Sequence, residues 1–178
     1  MKKKKGNIMS YAGTFGALLI LFVILALASP NFLKFDNMMS ILKQTTFNAL
    51  LSTGMLLCLI TAGIDLSVGA NATFAACMCG FLVTRGVTNS FVLIVVALLT
   101  GTLVGMVNGL LLTRLHLPHP FVSTLGMKNV LWGAALLVTA SKMISFSGIN
   151  GLLWLGSSTM KGFPVSFVIV ILIYILMH

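Results

Sequence analysis

The residue in this sequence best placed to do chemistry is Asp65, one of only two acidic residues among 178. It lies in the stretch TAGIDLSVGANAT, within a run from Phe47 to Val83 that carries no other charged side chain. A carboxylate in such a setting can accept hydrogen bonds from backbone N–H groups at a helix start, or it can line a polar path through apolar surroundings. Which of these two roles Asp65 has depends on the helices that position it.

The composition is that of a membrane protein. Hydrophobic residues make up 58% of the chain, charged residues only 7%, and the mean hydropathy is +1.11, whereas soluble domains carry charge at about a quarter of their positions. The net charge of +9 comes from a block at Lys2–Lys5 and from basic residues scattered singly between apolar runs. This pattern is typical of topology signals and lipid headgroup contacts rather than of nucleic-acid binding. It predicts a cytoplasmic basic tail over residues 1–10.

Six apolar runs predict an all-α polytopic protein that forms one domain over residues 1–178. The predicted membrane spans are Tyr11–Ala28, Phe47–Gly63, Ser67–Val83, Ser90–Thr113, Phe121–Ala140 and Val165–Met177. The first run also resembles a secretory signal, but the polytopic remainder favours an uncleaved span. Between the first two spans, residues 31–44 are predicted to form a helix in the membrane interface. Residues 142–164 are predicted to be an irregular segment of turns.

Asp65 is expected at a break between two helices. A single helix from Phe47 to Val83 would be about 55 Å long, which is too long for a hydrocarbon core of about 30 Å. Gly63 permits a turn there, and Asp65 or Ser67 can accept hydrogen bonds from free N–H groups at the start of the third helix. If the break lies within the membrane, it must be buried in protein or line a water-filled path. The two roles, helix cap and pathway residue, do not exclude each other.

Other polar and small residues support packing or transport. Gly101, Gly105 and Gly109 form one smooth helix face that another helix can approach closely, with Asn108 beside it as an interhelical donor. Lys128 lies seven residues into the fifth run, where it either snorkels to the interface or faces a wet cavity.

The sequence carries no set of residues for catalysis or metal binding. It contains no glutamate, no phosphate-binding loop and no Ser/His/Asp set with a plausible common pocket, so we expect no enzymatic activity and no cofactor. His116 and His119 lack carboxylate or cysteine neighbours that would complete a metal site. The cysteines at 58, 77 and 79 are interpreted as small apolar core residues.

Three stretches of the chain carry a family resemblance: LITAGIDLSVGA, NFLKFDNMMSILKQTTFNALLSTGM and GTLVGMVNGLLLTRLHLPHPFVSTLGM. In their order and spacing, the resemblance is to the membrane permease subunits of bacterial ABC sugar importers of the ribose, xylose, allose and galactofuranose type. It places a translocation pathway or broken-helix motif at these residues: Gly63, Asp65, Ser67, Gly69, Asn71 and Thr124, with Leu125 and Gly126 beside the last. Lys128 is a further candidate, because the family's Arg-Gly pair is replaced here by Trp132 and Gly133.

The resemblance also implies partners and a location. It implies a second permease subunit, a periplasmic sugar-binding protein, a cytoplasmic ATP-binding subunit and a position in the bacterial inner membrane with the N-terminus in the cytoplasm. Family members continue past the sixth span into a segment that docks on the ATPase, so the 178 residues are expected to be the N-terminal portion of a permease. Two alternatives remain: a small independent ion- or proton-coupled carrier that uses Asp65, and a non-transporting assembly partner.

Overall fold

The computed structural model describes residues 8–60, 63–114, 120–160 and 163–177. Over these residues the chain forms seven helices and one two-stranded ladder: α1 Ile8–Ala28, α2 Phe35–Ile60, α3 Val68–Thr84, α4 Ser90–Arg114, α5 Pro120–Thr139, α6 Asn150–Ser157, β1 Thr159–Met160, β2 Phe163–Pro164 and α7 Val165–Met177. The prediction of an all-α polytopic fold is confirmed. Residues 1–7, which include most of the predicted basic tail, and the histidines at 116 and 119 lie outside the described residues.

Helix lengths agree with a membrane-spanning chain. By length and composition, α4 and α5 are each apolar enough to cross a membrane, and the apolar parts of α1, α3 and α7 are shorter helices. Most large apolar side chains on these helices are exposed, for example Leu98, Leu137 and Ile175. Contact with lipid or with another membrane subunit would remove such apolar surface from water.

The chain separates into two compact units, residues 1–42 and 43–178. In the first unit the rings of Phe22 and Phe32 meet edge to face at 5.3 Å. The amide of Asn37 donates to the carbonyl of Phe32 at 2.7 Å, which fixes the turn before α2.

The second unit holds the broken helix. Here α3 packs against both α4 and α5, and its C-terminal half enters a small core with Cys79, Leu93 and Ile149. The thiol of Cys79 donates to the carbonyl of Leu93 at 3.2 Å. The core interpretation of the cysteines is therefore right for Cys79.

Two predicted elements differ from the structure. The predicted interfacial helix over residues 31–44 is not separate, because α2 runs unbroken from Phe35 to Ile60. No proline or glycine occurs between Phe35 and Thr53 to interrupt it.

The segment over residues 142–164 is more regular than predicted. It contains α6 and the β1–β2 ladder, in which Thr159 pairs with Pro164 and Met160 with Phe163. Helix α6 begins against the start of α4, where a Cβ at Gly151 would lie only 2.6 Å from the Ser90 hydroxyl. Only glycine permits this approach.

Candidate translocation site at the helix break

The predicted break in the helix is confirmed. Helix α2 ends at Ile60, residues 63–65 have no regular structure, and α3 begins at Val68 after a turn. The N–H of Gly63 donates back to the carbonyl of Cys58 at 3.0 Å. Residues 63–67 are not helical, and in an apolar environment their backbone groups need partners from elsewhere in the protein.

Asp65 supplies one of these partners. Its Oδ1 atom accepts hydrogen bonds from the backbone N–H of Ser67 at 2.7 Å and from the Ser67 hydroxyl at 2.6 Å. Ser67 is the N-cap residue of α3, but its own side chain makes no capping bond. The carboxylate therefore holds the start of α3, and Asp65 rather than Ser67 does this.

Asn108 on α4 extends this arrangement. Its Nδ2 donates to the hydroxyl of Ser67 at 2.8 Å, and both residues are buried, with exposures of 5% for Asn108 and 1% for Ser67. A series of hydrogen bonds thus connects Asn108 to Ser67 and Ser67 to Asp65. The sequence indicated that Asn108 could bond another helix, and the structure shows that its partner is the residue that starts α3.

Thr124 on α5 joins the break from the opposite side. Its hydroxyl accepts from the N–H of Leu66 at 3.2 Å and lies 3.2 Å from the carbonyl of Ile64 and 3.0 Å from that of Pro120. The side chain is 1% exposed. The Thr124 hydroxyl therefore forms hydrogen bonds with backbone groups on both sides of Asp65. Because Thr124 lies on α5, these bonds connect α5 to the non-helical residues.

Around these groups lies a partly open cleft of about 250 Å³. Residues from the end of α2, the break, α4 and the start of α5 line it: Cys58, Gly63, Ile64, Asp65, Gly105, Asn108, Gly109, Leu112, Pro120 and Thr124. Five predicted pathway or packing residues therefore share one cleft: Gly63, Asp65, Gly105, Gly109 and Thr124. Cys58 lines it too, so the core interpretation is wrong for this cysteine.

Among the described residues, no other helix packs closely against the glycine face of α4. A Cβ added at Gly101, Gly105 or Gly109 would meet no atom of the described residues within 4 Å. Close approach of another helix to this face, for example from a second subunit, therefore stays a prediction. Within the chain, the missing side chains at Gly105 and Gly109 leave room in the cleft.

Three predicted site residues lie away from this cleft. Asn71 donates from Nδ2 to the carbonyl of Gly101 at 3.1 Å and ties α3 to α4. Gly69 is exposed in the first turn of α3, and Lys128 is exposed on α5. Neither Gly69 nor Lys128 belongs to the residues that line the cleft, and their proposed roles stay predictions.

Replacing Gly105 with leucine tests whether the cleft must stay open. The added Cβ meets nothing within 4 Å, so we expect wild-type amounts of the protein in the membrane, while the longer side chain occupies the cleft and lowers transport at least tenfold. Transport and abundance are measured by solute uptake and by immunoblot. Gly13→Leu is the control, since its Cβ also has open space but lies on α1. Normal uptake in Gly105→Leu would show that the cleft is not used.

The described residues hold no group of three or more His, Cys, Asp or Glu side chains that could bind a metal ion. The polar groups of the cleft are instead a carboxylate, a hydroxyl and an amide set into apolar walls. Such groups suit hydrogen bonding to an uncharged polar solute.

Most of the chain is similar in sequence to known membrane permeases. Residues 37–178 match the family described as the permease component of the branched-chain amino acid transport system. The ribose import permease protein of Bacillus subtilis is 32% identical over 172 residues, which cover 96% of this chain and 53% of that protein. The galactofuranose transporter permease protein of Escherichia coli K12 is 34% identical over 168 residues, or 90% and 48% of the two chains.

A third relative is the D-allose transport system permease protein of Escherichia coli K12, 30% identical over 156 residues, or 84% of this chain and 48% of that one. This chain thus spans about half the length of these relatives. Among solved structures, none matches the chain significantly. Because the family match covers most of the chain and includes the helix break and every residue of its cleft, the chain belongs to the branched-chain amino acid transport permease family.

Proposed function

We propose that this protein is a membrane-spanning subunit of an ATP-driven carbohydrate importer and forms part of the path that the sugar takes. The observation that carries the proposal is the cleft at the helix break, where Asp65, Asn108 and Thr124 place polar groups among apolar helices. Broken helices of this kind often mark the substrate path in transporters. Support also comes from the relatives named for ribose, galactofuranose and D-allose.

The proposed substrate is a monosaccharide. Ribose, galactofuranose and allose differ in ring size and stereochemistry, but all present several hydroxyl groups on a small ring. The proposed partners are a cytoplasmic ATP-binding subunit, a periplasmic sugar-binding protein and a second permease subunit, with hydrolysis of ATP on the first of these. We place the protein in the inner membrane with its N-terminus in the cytoplasm, because the basic block at Lys2–Lys5 favours that side.

The test is uptake of radiolabelled monosaccharides, ribose first, by cells that express the gene from its own locus and by cells that lack it. Deleting the ATP synthase in both strains allows the ATP pool and the proton gradient to be lowered separately. We expect uptake to require the gene, to fall when ATP is depleted and to persist when a protonophore collapses the gradient.

Other outcomes would favour the alternatives. An uptake rate that depends on the proton gradient and not on the ATP pool would contradict the proposal. It would favour an independent carrier with Asp65 as the coupling carboxylate. Copurification of the protein with other membrane subunits, with no gene-dependent uptake of any monosaccharide, would favour an assembly partner.

A further inference from the structure

Asn108 occupies a position that is costly unless its amide has a function. It lies on α4, is 5% exposed and donates to the Ser67 hydroxyl. Its Oδ1 is buried and has no hydrogen-bond partner among the described residues. Burying an amide that is only partly hydrogen-bonded costs free energy. A leucine of similar size would avoid this cost, so the bond to Ser67 is the feature that requires asparagine here.

The chemistry of the three side chains fixes the direction of the hydrogen bonds. The Ser67 hydroxyl has a single proton, and the Asp65 carboxylate at 2.6 Å is the stronger acceptor. Asn108 must then present its NH₂ group to the serine oxygen, as the 2.8 Å contact has it. The order of donation therefore runs from Asn108 to Ser67 and from Ser67 to Asp65.

This arrangement leaves one oxygen atom of the Asp65 carboxylate, Oδ2, available to accept a hydrogen bond. Asp65 Oδ1 receives both the N–H and the hydroxyl of Ser67, whereas none of the described residues donates to Oδ2. Asp65 also lines the cleft, and two of the other lining positions are glycines, Gly105 and Gly109. With Oδ1 held by two donors, rotation of the carboxylate about its χ2 torsion would break both bonds.

We propose that the cleft is a binding subsite for a sugar hydroxyl, in which Asp65 Oδ2 accepts the hydrogen bond and Asn108, acting through Ser67, is the positioning residue. The proposal rests on the proposed function, because it names where on the path the sugar is recognised. Asn108 does not itself need to touch the sugar. Its effect on transport should depend entirely on the carboxylate that it orients.

The first measurement is ribose uptake by Asn108→Leu, in the full protein at its own locus and at ribose concentrations below saturation. We expect about a tenfold fall, because a hydrogen bond in a chain that ends on a charged group is lost, with membrane abundance near that of the wild type. The control is Asn129→Leu, the same change at an exposed position of α5, which should transport normally. Wild-type uptake in Asn108→Leu would overturn the proposal.

A double-mutant cycle separates positioning from a general effect on folding. In an Asp65→Asn background, adding Asn108→Leu should lower uptake less than twofold further, because the group that Asn108 orients has already been changed. Two independent tenfold losses that multiply would show that Asn108 does not act through Asp65, and would refute the positioning role.

Ser67→Ala provides a second variant if Asn108→Leu does not reach the membrane. Alanine keeps the backbone N–H that bonds Asp65 and removes only the hydroxyl between Asn108 and Asp65. We expect about a tenfold loss of ribose uptake at normal abundance, and full uptake would again overturn the proposal.

If the wild type takes up no monosaccharide, the proposed function itself fails. If the wild type takes up sugar and these variants do so equally well, only the positioning role fails.

Discussion

Asp65→Asn is expected to leave the protein in the membrane and to lower sugar uptake at least tenfold, whereas Asp65→Leu should lower both. Asparagine retains a side-chain oxygen that can accept the N–H of Ser67, so it can still hold the start of α3. Leucine leaves that N–H and the Ser67 hydroxyl without their acceptor, and the hydroxyl is buried at 1% exposure. Hydrogen bonds to a charged group contribute about 1.5–3 kcal/mol.

The measurement compares the two variants side by side for membrane abundance, by immunoblot, and for initial rates of ribose uptake. Loss of uptake in Asp65→Asn at normal abundance supports a role for the charge in transport. Full uptake in Asp65→Asn together with failure in Asp65→Leu would show that the carboxylate serves only as a helix cap. The pair therefore decides between the two roles that the sequence left open.

The helix break could be predicted from the sequence because the apolar run is too long for a single membrane-spanning helix. An apolar run from Phe47 to Val83 cannot cross the membrane as one helix, and Gly63 and Asp65 are the residues at which it can end and restart. The structure agrees, with α2 ending at Ile60 and α3 beginning at Val68. Local patterns of this kind need no knowledge of tertiary contacts.

The partners of Asp65 could not be predicted in the same way, because they come from distant parts of the chain. Asn108 and Thr124 follow the break by more than 40 residues, and no periodicity in α4 or α5 indicates that they face Ser67 and Leu66. The motif that contains Thr124 marked it as a candidate but did not show what it bonds. The sequence predicts Asn108 as an interhelical donor beside a glycine face, but it does not indicate that its partner is Ser67.

The glycines of α4 show how one pattern can serve two purposes. Their four-residue spacing predicts close helix packing, yet Gly105 and Gly109 line open space within the chain. A residue without a side chain allows either a close neighbour or a cavity, and only the arrangement of the surrounding helices determines which one is present. The spacing alone could not separate these outcomes.

Thr124→Val is expected to destabilise the protein, since valine matches threonine in shape but cannot form hydrogen bonds. The N–H of Leu66 then loses its acceptor, and the carbonyl of Ile64 loses the hydroxyl that lies 3.2 Å away. Leaving a buried group unpaired costs about 1–3 kcal/mol, and the lower part of that range applies to these partly buried backbone groups. In detergent, the midpoint of thermal unfolding should fall by about 5 °C, and Thr124→Ser, which restores the hydroxyl, should recover most of the loss.

Thr139→Val on the same helix is the matched control. The hydroxyl of Thr139 donates to the carbonyl of Ala135 at 2.8 Å, a bond within α5 that involves no other element. Both variants remove a threonine hydroxyl and its bond one turn back along the helix, but only Thr124→Val also frees the backbone of the break. A larger loss of stability in Thr124→Val than in Thr139→Val therefore measures what α5 contributes to holding the non-helical residues. Equal losses would mean that the contacts between Thr124 and the break contribute nothing, and that Asp65 and Asn108 hold it without help from α5.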